Sequence, residues 1–130
     1  MIRKREALAW AAGFFDGEGS VHVAYSKRRS DDTFYYYPQV GISQSGNIGD
    51  EPLRKFYQAV GIPAKIYGPY RPAKNQKLVR WVYEASGLEK VQKIADLLWP
   101  FLGTVKRNKF SQVLAKCKTS KPRRVVISHT

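Results

Sequence analysis

The sequence predicts an α+β domain in which a four-stranded antiparallel sheet carries helices on one face. Four segments alternate between apolar and polar residues, which is the pattern of strands with one buried and one exposed side. The segments between and around them place apolar residues at helical spacing. The predicted order is helix, two strands, helix, two strands, helix, followed by one more helix.

The chain has 130 residues, which is enough for one compact domain and too few for two. We assign residues 1–118 to this domain and residues 119–130 to a basic C-terminal tail. Within the tail, residues 125–127 have the composition of a short strand. No low-complexity linker divides the chain.

The first helix is predicted from the small and apolar run Ala7 to Phe15. We expect Gly17 and Gly19 to end it, because glycine readily adopts the positive φ angles of a helix exit. Glu18 lies between these glycines. Its negative charge is repelled by the negative end of the helix dipole, which costs about 0.3–1 kcal/mol. The sequence therefore predicts that a positive group lies near Glu18.

Residues 21–28 and 34–43 form the first predicted hairpin, with apolar side chains on one side of each strand. The side chains predicted to face inward are Val21, Val23, Tyr25, Tyr36, Val40 and Ile42. The opposite side carries His22, Ala24, Ser26 and Arg28 on the first strand and Tyr35, Tyr37, Gln39 and Gly41 on the second. This side is left for solvent or a ligand.

The remaining segments predict a second helix, a second hairpin and two further helices. Asp50 is expected to cap the second helix and Gly61 to end it. Residues 62–70 and 77–85 form the second hairpin, in which Val79, Trp81 and Tyr83 are expected to pack inward. A capping box of Ser86 and Glu89 begins the third helix, which ends at Pro100, and the last helix covers residues 105–118.

The charge of the chain points to a polyanionic partner. Lys and Arg number 23 against 10 Asp and Glu, which gives a net charge of +13. Eight basic residues and no acidic ones follow Asp96, and residues 65–80 hold five basic residues and no acid. Either cluster alone is consistent with a solvated surface, but together they favour nucleic acid over a membrane, since no apolar run approaches the ~20 residues of a membrane span.

Several other classes of protein are disfavoured. Cys117 is the only cysteine, so the chain has no intrachain disulfide framework. Glu6 interrupts the basic residues ahead of the apolar run, so we do not interpret the start as a signal peptide, and we expect an intracellular protein of the cytoplasm or an organelle matrix, not a secreted one. With only His22 and His129 as histidines, no nucleophilic triad is apparent.

The segment Ala11 to Gly19 resembles the LAGLIDADG motif of homing endonucleases. Ala12, Gly13, Asp16 and Gly19 match the letters of that motif, and Glu18 replaces one carboxylate by another. Ala11 is the weakest match. Without the residues after it, the run from Ala7 would indicate only an ordinary core helix.

This resemblance implies a fold and an assembly. In the family, an αββαββα arrangement forms a four-stranded saddle-shaped sheet on DNA, and the motif helices of two half-domains pack together. Since the chain contains one copy of the motif, the resemblance implies a homodimer. The low-bulk side of the first helix is the expected interface, and it consists of Ala9, Ala12, Gly13 and Asp16.

The resemblance also implies a metal-dependent nuclease site. Glu18 from each chain would bind Mg²⁺, or another divalent cation such as Mn²⁺, together with the backbone carbonyl of Gly17. Gln44, at the end of the second strand, and Lys106, after the third helix, match the remaining catalytic positions. Arg107 or Lys109 is an alternative to Lys106, because the spacing is shifted by a residue.

The polar side of the sheet is the expected DNA-binding surface. The candidate contact residues are His22, Ser26, Arg28, Tyr35, Tyr37, Gln39, Lys65, Tyr67 and Arg80. A two-fold dimer would prefer a target whose halves are approximate inverted repeats.

Taken together, the resemblance implies a homing endonuclease that makes site-specific double-strand breaks in DNA and serves the mobility of an intron or intein. The alternative is a protein of the same fold that no longer cuts, either a DNA-binding regulator or an intron RNA maturase. A basic structural protein that binds DNA without sequence preference is a further alternative. The presence of Glu18 favours the endonuclease over these alternatives, because a protein that does not cut has no need of this carboxylate.

Overall fold

The computed structural model describes residues 4–27, 33–72, 74, 77–119 and 125–126. Its helices are α1 (Lys4–Glu18), α2 (Asp50–Val60), α3 (Leu88–Leu98) and α4 (Thr104–Thr119), with a 3-10 turn at Trp99–Phe101 between the last two. Its strands are β1 (Gly19–Lys27), β2 (Thr33–Ser45), β3 (Lys65–Tyr70), β4 (Arg80–Ser86) and β5 (Val125–Val126). The predicted α+β class and order of elements are confirmed.

The strands form one antiparallel sheet with β2 and β4 in its centre. The order of the main strands is β1-β2-β4-β3, and the two residues of β5 pair with Thr33 and Phe34 of β2. The predicted short strand in the tail is thus present at Val125 and Val126, while Ile127 lies outside the described residues.

The helices cover one face of the sheet, and aromatic rings fill the space between them. Phe15 of α1 packs against Phe110 of α4 with ring centroids 5.3 Å apart, and Phe56 of α2 meets Tyr83 of β4 edge-on at 5.0 Å. All four rings are fully buried. Burying the side chains of this cluster supplies about 1.5–3 kcal/mol each in hydrophobic free energy.

The end of α1 differs from its prediction. The helix runs to Glu18 and passes directly into β1 at Gly19, and neither Gly17 nor Gly19 has a positive φ. Gly19 is required for space instead, because a Cβ atom there would overlap the ring of Phe15. The glycine thus lets the helix fold back closely onto the first strand.

Two predicted helix caps are wrong, and in each case the side chain has another partner. Asp50 is already the first residue of α2, and its carboxylate accepts a hydrogen bond from Arg54 at 3.0 Å. Gly87 precedes α3, while the hydroxyl oxygen of Ser86 accepts from the Gln39 amide at 3.0 Å. Gly61 does end α2, as predicted, in a left-handed conformation with φ of 65°.

No helix in the described part of the chain combines the length and apolar character needed to cross a bilayer.

Candidate active site and nucleic-acid interface

Glu18 lies at the junction of α1 and β1, where its side chain is exposed. Gly19, the next residue, pairs with Ile42 of β2, so the strand brings Gln44 to the same end of the sheet. The Gln44 amide nitrogen lies 3.4 Å from a carboxylate oxygen of Glu18 and 2.7 Å from the carbonyl oxygen of Ser43. The predicted pair of Glu18 and Gln44 is therefore in contact.

Lys106 approaches the same junction from the first turn of α4. Its ammonium donates a hydrogen bond to the carbonyl oxygen of Gly19 at 2.6 Å and lies 5.8 Å from the ring centroid of Phe15. This is a positive group beside the exit of α1, as the position of Glu18 led us to expect. The ammonium binds the backbone, and the side chain of Glu18 is exposed.

The side chains of the two alternatives to Lys106 have other surroundings. Arg107 donates to the carbonyl oxygen of Trp99 at 2.9 Å, and its guanidinium lies 5.6 Å from the centroid of the Trp99 ring. Lys109 is exposed and lines a groove that it shares with Lys106 and Ser20. Of the three basic residues, Lys106 is the one whose side chain binds at the exit of α1.

The donor set of one chain fits a hard cation only in part. Glu18 supplies a carboxylate, and the carbonyl of Gly17 belongs to the last turn of α1, whose carbonyls have no partner within the helix. Oxygen donors of this kind suit Mg²⁺, which is commonly held by one or two carboxylates together with substrate phosphates. Among the described residues, however, no cluster of three or more His, Cys, Asp or Glu side chains occurs.

The exposed side of α1 is smooth. Ala9 and Gly13 are exposed, and a Cβ atom built at Gly13 or Gly17 would meet nothing within 4 Å. Sequence reasoning did not include Gly17 in this surface, although it lies four residues after Gly13 and therefore on the same side of the helix.

The other two predicted interface residues have roles inside the chain. Ala12 has 0% of its surface exposed, so its placement on the smooth side of α1 was wrong. Asp16 is half-buried, and its two carboxylate oxygens accept hydrogen bonds from the Gly103 amide at 2.9 and 3.1 Å. Asp16 thus anchors the start of α4, the helix that carries Lys106.

The predicted DNA-contact residues share one face of the sheet. Residues paired directly across antiparallel strands point to the same side, and the register pairs His22 with Gln39 and Ser26 with Tyr35. By the same rule, this face includes His22, Ser26, Tyr35, Tyr37, Gln39, Lys65, Tyr67 and Arg80. It is the face opposite the helices. Arg28, the ninth candidate, lies outside the described residues.

Several of these side chains are held in place by neighbours. The His22 Nε2 atom donates to the Gln39 amide oxygen at 2.8 Å, and the Gln39 amide nitrogen donates to the Ser86 hydroxyl at 3.0 Å. The Arg80 guanidinium lies 5.4 Å from the ring centroid of Tyr70. Sequence reasoning did not assign Ser86 or Tyr70 to this face.

Glu84 is another residue of this face that sequence reasoning missed. It pairs with Gly41 on one side and with Lys65 on the other. The alternation that placed Trp81 and Tyr83 inward contained the signal needed to find it, since residues 80, 82, 84 and 86 must then face outward.

The sequence matches no protein-family model and no curated protein. The structure is similar to that of the homing endonuclease I-CvuI in complex with the I-CreI target, with a TM-score of 0.68 and 20% identity over 88% of this chain and 68% of that one. It is also similar to the group I intron-encoded homing endonuclease I-CeuI complexed with DNA, with a TM-score of 0.67 and 15% identity over 91% of this chain and 57% of that one.

A third similar structure is the LAGLIDADG homing endonuclease I-GzeII in complex with its DNA target. The TM-score is 0.63 at 19% identity, and the match covers 87% of this chain but 36% of that one. The chain therefore has the fold of the LAGLIDADG homing endonucleases, and the resemblance stated from Ala11 to Gly19 is confirmed at the level of the fold.

Proposed function

We propose that this chain is a site-specific DNA endonuclease that acts as a homodimer and uses Mg²⁺, or another divalent cation such as Mn²⁺. The observation that carries the proposal is the arrangement at the exit of α1, where Gln44 contacts the exposed carboxylate of Glu18 and Lys106 binds the carbonyl oxygen of the next residue, Gly19. The likeness to homing endonucleases solved on DNA supports the same conclusion.

Hydrolysis of a phosphodiester needs an attacking water and stabilisation of the negative charge that develops on the phosphate and the leaving oxygen. A divalent cation, when bound, supplies both by activating water and by acting as a Lewis acid. In this chain Glu18 and the carbonyl of Gly17 would hold it. Lys106 would add positive charge beside the phosphate, and the Gln44 amide would orient Glu18 or a water.

The proposed site is completed by a second copy of the chain. One chain offers a single carboxylate at the exit of α1, and Asp16 is engaged by Gly103. The exposed stripe of Ala9, Gly13 and Gly17 would let the α1 helices of two chains approach closely, which brings the two Glu18 side chains together. The stripe is uncharged, so it is a suitable contact between chains that each carry a net charge of +13.

The open face of the sheet would bind the DNA. Its tyrosines, its His22–Gln39–Ser86 chain of hydrogen bonds and its basic residues provide donors and acceptors for base edges and phosphates. A two-fold dimer places two such faces in opposite directions, so the target would be an approximate inverted repeat. A break at such a site would serve the mobility of an intron or intein.

A selection of cut sequences from random double-stranded DNA tests the proposal. We expect cleavage in Mg²⁺ and none in EDTA, with the cut molecules sharing an inverted repeat centred on the break. Binding to a shared sequence without cutting would indicate a non-cutting DNA-binding regulator of the same fold instead of an endonuclease. Preferential binding to structured intron RNA over the DNA library would indicate a maturase instead, and binding without any shared sequence would contradict site specificity.

A further inference from the structure

One acidic side chain stands on the face that we assign to DNA. Glu84 of β4 is the only Asp or Glu within the five described strands, and it lies on the open face with Lys65 and Arg80. A carboxylate there is repelled by phosphates, so a surface selected only for attraction to DNA would not contain it. Its presence is explained if the bound DNA offers a group that a carboxylate binds better than a neutral side chain does.

Glu84 is half-buried, and its neighbours across β2 are small. Across β2 its partner is Gly41, which has no side chain, and beyond Gly41 the next residue of the same row is Ser20 of β1. The Ser20 hydroxyl is turned toward the backbone, where it donates to the Gly41 carbonyl at 3.3 Å. The residues beside Glu84 in this row are therefore small, which leaves room for the edge of a base.

The neighbour of Glu84 on the other side is a lysine. Lys65 pairs with it across β3, yet within the described residues no ion pair joins the two side chains at 4.0 Å or less. The carboxylate thus keeps its capacity to accept hydrogen bonds from another molecule.

We propose, on the basis of the function proposed above, that Glu84 reads a cytosine in each half of the DNA target by accepting a hydrogen bond from its N4 amino group. In the major groove cytosine presents only that donor, whereas guanine presents two acceptors and thymine one. Adenine also carries an amino donor, but the adjacent N7 acceptor repels a carboxylate. Cytosine is therefore the base that Glu84 distinguishes best.

The register also locates the cytosine within the half-site. Along β1, Ser20 is the first open-face residue after Glu18, and its row contains Glu84. The row of Ser26 and Tyr35 lies six residues further along the strand, or about 20 Å at ~3.4 Å per residue. The cytosine should therefore lie in the inner part of each half-site, nearer to the break than the bases met by Ser26 and Tyr35.

A selection of bound sequences by the full-length chain in EDTA tests this proposal without requiring cleavage. We expect the wild-type chain to enrich cytosine at one inner position of each half-site, and Glu84→Ala to lose that enrichment by about tenfold while the other positions keep theirs. Glu84→Gln should shift the preference at that position toward adenine, which an amide contacts through both N6 and N7. Glu89→Gln, at an exposed position of α3, is the control and should leave every position unchanged.

Two results would overturn the inference in distinguishable ways. If clear half-sites appear and the Glu84 variants give the same base preferences as the wild type, Glu84 does not read a base, while the proposed function stands. If the wild-type chain enriches no shared sequence at all, the inference fails together with the proposed site-specific function.

Discussion

The two faces of the same four strands have opposite properties. On the helix side, the strands contribute side chains such as Val40, Ile42 and Tyr83, which are almost completely buried. On the open side, their immediate neighbours are small or polar except for Val82, and the Gln39 side chain is held by His22 and Ser86. Since successive residues of a strand point to opposite faces, the residues that stabilise the fold and those that we propose to contact DNA occupy alternate positions of one sequence. Substitutions at neighbouring positions should therefore change different properties.

Among the substitutions of strand-facing core residues, Phe56→Ala should lower the stability of the fold most. Phe56 is fully buried and packs against Phe15 and Tyr83, so its removal leaves a cavity and should lower the free energy of unfolding by about 3–5 kcal/mol. Urea denaturation monitored by circular dichroism measures this loss. The matched variant on the open face is Tyr67→Ala, for which we expect a change of about 1 kcal/mol or less. Equal losses in the two variants would contradict the separation of the faces.

The second prediction applies the same comparison to α1, which also has a buried and an open side. Gly13→Leu should leave the fold intact, because Gly13 is exposed and a Cβ atom there meets nothing in its own chain within 4 Å, but it should separate two helices that pack closely. We expect a loss of DNA cleavage of about a hundredfold or more, equivalent to ~2.7 kcal/mol. Sedimentation should show monomers. Gln58→Leu, at an exposed position of α2, is the control and should leave the association unchanged.

The third prediction concerns the charge of the open face. Arg80 is exposed and rests against the ring of Tyr70. Arg80→Ala should weaken DNA binding by about tenfold and change the free energy of unfolding by no more than about 0.5 kcal/mol. If Arg80 contacts phosphate, the slope of log affinity against log salt should fall by about 1 per subunit. Unchanged affinity and slope would place the DNA elsewhere.

The smallest expected effect is that of Tyr83→Phe. Within the described residues the Tyr83 hydroxyl is buried without a hydrogen-bond partner, so its removal should be neutral or stabilise the fold by up to about 1 kcal/mol. Burial, with a contribution from Tyr57, raises the pKa of Tyr83 above its ordinary value of 10.0. The neutral phenol is therefore favoured in the folded state, and its contribution to stability is complete below pH 10 and is lost as the pH rises further.

Denaturation across the alkaline range measures this difference. The wild-type chain should lose more stability above pH 10 than Tyr83→Phe does, because only the wild type must keep this buried phenol protonated. Parallel losses in the two proteins would mean that the Tyr83 hydroxyl is solvated in the folded state.

The faces of the strands could be predicted from the sequence because a period of two leaves little freedom. Once Val40 and Tyr83 were assigned inward, the outward positions of Gln39 and Arg80 followed. The outward position of Glu84 follows from the same rule, although Glu84 was not among the candidate contact residues. The proximity of Glu18, Gln44 and Lys106 is different, since these residues are far apart in the chain and only the family resemblance related them.

The errors came from competition among partners. Asp50 and Ser86 are good capping residues, but Arg54 and Gln39 bind them instead, and local sequence does not rank such choices. Ala12 was placed on the open side of α1 because small residues suit a close helix contact, whereas the core of this chain covers it completely. How far a core extends around a helix depends on the neighbouring elements, which periodicity does not describe.

Cleavage of a selected target by Glu18→Gln tests the central claim most directly. Glu18 is exposed, so the substitution should leave folding and DNA affinity within about threefold of the wild type, while Mg²⁺-dependent cutting should fall by three orders of magnitude or more, equivalent to ~4.1 kcal/mol. Glu89→Gln, which removes the same charge from α3, should cut at the wild-type rate. Cutting by Glu18→Gln at the wild-type rate would contradict the account.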